Sequence, residues 1–342
     1  MNKKIKEIIK YIAIIAILIG SLYLVLDDVN LKEFINILSQ VRWEWCLLSV
    51  PVAILSHWVR AIRWKIFLKP ILDAKSNMNL FSAVMVGYFV NNVIPRGGEF
   101  VRPFVYARRE NVSKSAVLAT IVTERIIDVI FLMLMFAFAY IASKDTIMQA
   151  FPWISGQGMT YSIILLVACI AFIILLLSTQ VFDKILYAIG KKIMPNQYEK
   201  LKNILDSFRK GLEIMKAPSS YLPTFIYSLL IWALYALPMY LMFFAFDFQS
   251  TLHLGLIDAG LLIVVSGVGT SIAPTPGAIG VYHWIIVSAL VNLYPNISQE
   301  EALAYATLTH GVNLIIQVII GAIFLLKENI TKIPTKEDFE AN

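Results

Sequence analysis

Residues 91–100 read NNVIPRGGEF and close the apolar run 79–94. Two Asn, a Pro, an Arg, two Gly and a Glu stand together in a 342-residue chain that is 58% hydrophobic and 15% charged. Its mean hydropathy is +0.72. Soluble domains carry roughly 25% charged residues, and crossing a hydrocarbon core of ~30 Å takes about 20 apolar residues. Several runs here are that long, so the chain is a polytopic membrane protein. What NNVIPRGGEF does inside such a chain decides the fold.

The flanks of the stretch carry the answer. Apolar runs cover roughly 8–26, 45–68, 79–94, 115–142, 160–180, 220–246, 255–273, 279–293 and 303–326. Four Lys in the first ten residues place the N-terminus inside by the positive-inside rule. No small-residue cleavage site follows the first run, which reads as an uncleaved helix. Arg60, Arg63, Lys65, Lys69 and Lys75 cluster at the far end of the second run, so it too ends inside. The third run begins there and ends at PRGGEFVRPFVYARRENVSK, with Arg96, Arg102, Arg108, Arg109 and Lys114, which also belongs inside. Both demands are met if 79–112 enters from the cytoplasm, turns at PRGG and returns. Pro and Gly allow the turn. Asn side chains such as Asn92 can bond the freed backbone groups. Broken backbone at depth is tolerated where protein or a wet cavity covers it.

The remaining charges sort the same way. The segment 181–219 is basic and cytoplasmic, and 303–326 must end inside beside Lys327. Segment 255–293 must then start and finish outside, around a second break, APTPGAIG. Only Lys32, Arg42 and Lys144 of the 29 Lys and Arg fall outside. The expected fold is all-α. It has about six full transmembrane helices and two re-entrant broken-helix hairpins in one integral domain over 1–342, with both termini cytoplasmic in the cytoplasmic membrane.

The broken segments read as copies of one unit, approximately 79–142 and 255–326. SKSAVLATIVTERIID (113–128) aligns without gaps on QEEALAYATLTHGVNL (299–314). Ala116 pairs with Ala302, Thr123 with Thr309 and Glu124 with His310. Inverted repeats with discontinuous helices near the midplane are a transporter architecture. Chance likeness between small-residue helices is the alternative. Segment 196–216 carries Leu201, Ile204, Leu205, Phe208, Leu212 and Met215 on one stripe. It reads as an amphipathic helix resting on anionic lipid, or as one packed on the bundle.

The intramembrane charges come next. TERIIDVIF sets Glu124 and Asp128 on one helix face, with Arg125 able to pair with Asp128. Each such group costs ~2.5–3.5 kcal/mol to insert, so they face the interior. They line a headgroup path, or they form a salt bridge tying the helix to the re-entrant loop, for example to Arg102. Glu99 and Arg102 flank the first break. An Arg at a re-entrant tip suits a phosphate; a snorkelling Arg with a local Glu partner is the alternative. Arg96 is an ordinary cytoplasmic loop Arg or a further ligand. His283 and His310 are the ionisable candidates of the outer half, each equally readable as a packing residue. His57, with Trp58 and Trp64, reads as interfacial. Cys46 and Cys169 read as packing residues and imply no disulfide framework.

These elements resemble the flippase-like transmembrane family, known from the membrane domain of bacterial lysyl-phosphatidylglycerol synthase. The likeness covers about 1–328. It rests on GE-x-x-R (Gly98, Glu99, Arg102), ER-x-x-D (Glu124, Arg125, Asp128) and Pro-Gly-x-x-Gly (Pro276, Gly277, Gly280). After the last motif the family usually continues to a Glu, where this chain has His283. The resemblance implies movement of a polar-headgroup lipid, anionic or polyprenyl-phosphate-linked, between leaflets. It does not imply lysyl transfer. A non-transporting scaffold or lipid-binding partner of an envelope synthase is the alternative, and a lipid-modifying enzyme a more distant one. No H-E-x-x-H, G-x-S-x-G, P-loop or Cys/His cluster is present, so no enzyme, metal or cofactor is expected. The expected partners are membrane lipids bearing phosphate, not nucleic acid, together with a second copy of the chain or an envelope synthase.

Overall fold

The computed structural model describes residues 29–142, 213–273 and 275–327, with single positions between 16 and 26, 148 and 167, and 202 and 210. The described chain is helical throughout and contains five helical segments long and apolar enough to cross a membrane. This is a polytopic all-α membrane protein. Apart from those single positions, the expected spans 8–26 and 160–180, and all but the end of the 196–216 helix, lie outside the described residues. At that end Glu213–Lys216 forms one 3-10 turn, with Ile214 buried.

The helix boundaries follow local chemistry. Asn30 caps α1 (Leu31–Gln40) by accepting from the Lys32 and Glu33 amides. α2 (Trp43–Leu68) crosses the bundle. Ser76 caps α3 (Asn77–Val93), which a break separates from α4 (Gly98–Glu110). Asn111 ends α4 in a left-handed conformation, and the long helix α5 (Lys114–Ala142) follows. α6 (Tyr221–Ala245) lies against α2 along much of its length. Asp258 accepts from the Gly255 amide at the start of α7 (Leu256–Ile272). A second break leads to α8 (Val281–Leu293). Ser298 and Glu301 exchange side-chain-to-amide bonds at 3.1 and 2.9 Å ahead of α9 (Gln299–Lys327). That is a capping box, so Glu301 serves the helix start as well as marking the expected outer flank.

The two broken units share one set of dimensions. α3, α4 and α5 have 17, 13 and 29 residues, and α7, α8 and α9 have 17, 13 and 29. At 1.5 Å per residue the short arms are about 26 and 20 Å long, less than the ~30 Å core. Pro276–Leu293 reaches spanning length only by counting the 3-10 turn and the left-handed Gly277 and Gly280 ahead of α8. Each pair of arms folds back on itself. Gly87 faces Arg102 in the first hairpin and Gly269 faces Ile285 in the second.

The hairpins open at opposite ends of the bundle. Lys65, near the end of α2, donates to Asn77 at the start of α3, and Phe324 at the end of α9 packs on Phe81. At the other end the Arg42 amide donates to the Ala245 carbonyl and Asn30 is tied to Glu300. Tyr294, at the end of α8, donates to Asp258 at the start of α7. One core sits at each end. Trp64, Phe67, Leu80 and Tyr106 fill the first, and Phe243, Phe248, Leu262 and Tyr305 the second.

Candidate functional site

The first break is held by its own residues. The Ile94 amide still bonds to the Val90 carbonyl. Arg96 then takes φ +59, so the left-handed turn residue is the Arg and neither Gly. The Gly98 amide donates to Asn91 Oδ1 at 2.8 Å, the backbone rescue expected of these Asn. A Cβ on Gly98 would overlap the Gly87 carbonyl, so Gly98 is where α4 presses against α3.

The second break reaches its turn differently. Gly277, Ala278 and Gly280 all have positive φ, and Thr275 Oγ1 donates to the Ile279 carbonyl at 2.9 Å. The two tips meet. Arg96 Nη2 donates to the Ser271 carbonyl at 2.5 Å. Asn92 Nδ2 lies 3.4 Å from Gln317 Oε1. A Cβ on Gly277 would lie 3.2 Å from Asn92 Oδ1. His310 Nε2 donates to the Gly277 carbonyl at 2.7 Å, and its ring stacks on Tyr282 at 4.9 Å. His283 lies edge-on to His310, centroids 5.1 Å apart.

Behind the first tip lies a knot of charge drawn from α2, α4 and α5. Glu124 is wholly buried. It pairs with Arg60, with Arg102 at 3.0 Å, with Arg125 at 3.4 Å and with Arg63 at 3.7 Å. Asp128 pairs with Arg63 at 2.6 Å and Arg60 at 2.9 Å, with Arg125 at 3.7 Å. The remaining donors of Arg60 go to Tyr235 and Tyr88 at 2.8 and 3.1 Å. Arg63 donates to Ser228 at 2.9 Å. The Arg102 guanidinium lies 3.9 Å over the Trp64 ring. Buried charges persist when they are paired, and every charge in this network has an opposite partner, although Glu124 Oε2 and the Nε groups of Arg63, Arg102 and Arg125 have no hydrogen-bond partner among the described residues.

A cavity of about 690 Å³ opens between the knot and the two tips. Asn92, Arg96, Glu99, Arg125, Asp128, Gly277 and His310 line it. Gly98, Arg102 and Glu124 stand outside its lining, in the wall or the knot. Pro276, Gly280 and His283 belong to the second tip without lining the space. Arg102 is therefore a buried partner of Glu124, one turn into α4, and the tie between α5 and the first hairpin is present.

Three readings of the sequence change. His57 is 2% exposed against the Tyr88 ring, not interfacial. Arg60 and Arg63 do not flank the membrane end of α2; they are buried in the bundle at 5% and 0% exposure. Trp64 is buried beneath Arg102. A signal existed for these residues. His57, Arg60 and Arg63–Trp64 recur at helical spacing on one face of α2, and a charged stripe of that kind on a spanning helix points inward. Tyr88 and Tyr235 carried no signal of their own.

The family model described as "Lysylphosphatidylglycerol synthase TM region" matches residues 11–321. A UPF0104 membrane protein of Pyrococcus horikoshii is 26% identical over 325 residues, covering 87% of this chain and 91% of its own. Another from Methanocaldococcus jannaschii is 24% identical over 317 residues, covering 89% and 91%. One from Methanothermobacter thermautotrophicus is 23% identical, covering 78% and 84%. No solved structure matches.

Proposed function

We propose, on the premise that the chain belongs to the lysylphosphatidylglycerol synthase TM region family, that it moves a polar-headgroup lipid between leaflets. One observation carries this reading: a polar, charged cavity lies where two oppositely opening hairpins meet tip to tip. A headgroup crossing the bilayer needs a wet path at mid-depth, while acyl tails stay in lipid. In this reading the two hairpin-plus-helix units are inverted repeats. The first hairpin opens to the cytoplasm and the second to the outside, with both termini cytoplasmic. Rocking one unit against the other would expose the cavity to each side in turn.

The test is leaflet exchange in proteoliposomes carrying a fluorescent short-chain phospholipid, bleached from outside. Without protein about half the label is bleached. With the chain the bleached fraction rises toward completeness, and a bulky His310→Trp substitution in the cavity slows the rise. A protein-independent half would leave the scaffold reading, which the mutually paired charges of the knot favour, as the better account. Mass spectrometry of co-purified lipids then distinguishes a lipid-binding scaffold from one that holds none.

A further inference from the structure

The cavity has a sign. Its wall holds three guanidinium groups, on Arg60, Arg96 and Arg125, against two carboxylates, Glu99 and Asp128. The knot behind adds Arg63 and Arg102 against Glu124 alone. Among the described residues the site thus carries five cationic groups to three anionic ones. In a cavity walled by low-dielectric protein an excess of two charges is felt more strongly than in bulk water.

The excess sits on particular groups. Arg60, Arg63 and Arg102 are spent on carboxylates within the knot. Arg96 is not: it is exposed, and its side chain donates to the Ser271 backbone carbonyl, a neutral acceptor. Arg125 is 43% exposed and only loosely engaged, at 3.4 and 3.7 Å from its acids. A planar guanidinium holding a carbonyl at a cavity edge is ready to exchange it for an oxyanion.

We infer that the cavity takes a headgroup ending in a phosphomonoester, and disfavours one carrying amino groups. This rests on the lipid-handling reading above and narrows it. A monoester brings about −1.5 to −2 charges and three acceptor oxygens at neutral pH, matching the excess of two. A phosphodiester brings one charge. A lysyl-phosphatidylglycerol headgroup, with two ammonium groups to one phosphodiester, is net positive and would be repelled. The membership that suggests lipid handling therefore does not carry over its lipid.

The experiment measures binding to the full chain in mild detergent, by thermal shift and titration. The probes are dioctanoyl phosphatidic acid, dioctanoyl phosphatidylglycerol, its lysyl ester and inorganic phosphate. The monoester lipid should bind roughly tenfold or more tightly than either diester, the difference expected of charge-assisted bonds. Arg96→Gln should erase most of that preference, and Arg96→Lys should restore only part of it, since it keeps charge without the fork. Equal or tighter binding of either diester overturns the monoester assignment and leaves lipid handling intact. Binding of inorganic phosphate as tight as phosphatidic acid keeps the oxyanion chemistry but overturns the lipid source. If no probe binds, and leaflet exchange is also absent, both readings fall.

Discussion

The unit of α3, α4 and α5 and the unit of α7, α8 and α9 have the same three helix lengths and opposite chemistry. In the first, Arg102 packs against Gly87 and reaches Glu124. In the second, Ile285 packs against Gly269, and His310 holds the twelfth position of α9 much as Glu124 holds the eleventh of α5. One half carries the charge, while the other carries a neutral aromatic group of Tyr282, His283 and His310. The break, the fold-back and the tip contact are thus separable from the electrostatics. Geometry needs small residues and backbone acceptors at two places. The charge is installed once, on the side that α2 covers with Arg60 and Arg63.

That asymmetry predicts where the molecule breaks. The largest effect should come from Glu124→Gln, which leaves Arg60 and Arg102 without their main counter-charge in a buried site. Removing one partner of a buried pair costs about 3–5 kcal/mol, so folded yield and Tm in detergent should fall sharply. His310→Gln, at the equivalent place, should not approach this. Arg102→Gln on top of Glu124→Gln should cost much less than the sum, because it removes a cation already orphaned. Additive losses would mean that the two side chains do not depend on each other, and the knot would lose its meaning.

The two hairpins can next be compared through their glycines. Gly98→Ala drives a methyl into the Gly87 carbonyl, a backbone clash at or above the upper end of the ~1–3 kcal/mol typical of overpacking. Gly277→Ala meets no backbone closer than 3.7 Å but has φ +58, and a side chain in the left-handed region costs about 1–2 kcal/mol. The first hairpin should therefore suffer more, as measured by chemical denaturation of the two variants. The reverse order would show that turn conformation, not arm-to-arm contact, limits both hairpins.

Much of this was legible in the sequence. Charge asymmetry required 79–112 to turn back, because it is basic at both ends, and the placement of Lys327 inside then required 255–293 to start and finish on the other side. The breaks fell at PRGG and TPGAIG, and among the described residues the boundaries of the expected spans agree to within a few residues. What was not legible is which side chains the folded hairpins bring together. Arg60 and Arg63 lie in a basic cluster that also holds Lys65 and Lys69, so composition assigned them to the interface. Their helical spacing on one face of α2 was the signal that this composition masked, and their burial follows from α3, α5 and α6 packing against α2. Arg96 as the left-handed residue was equally hidden, since two glycines beside it looked better suited to that role.

The smallest effect should come from the neutral half. His310 Nε2 donates to the Gly277 carbonyl at 2.7 Å and lies at a cavity wall. His310→Phe keeps the stacking on Tyr282 and loses that bond. Because water in the cavity can reach the freed carbonyl, the loss should be near or below the ~0.5–1.5 kcal/mol of an ordinary hydrogen bond. Global stability should hardly move. Local stability should, since the bond ties α9 to the second tip and the tip has no charged network behind it. Amide exchange over 275–280 should quicken in His310→Phe and stay near wild type in His310→Gln, which retains a donor. The amides of 94–98 should be unaffected, being held by Asn91 and by the fold-back at Gly98. Equal quickening at both tips would mean that they open as one body, and the independence of the two halves would be lost.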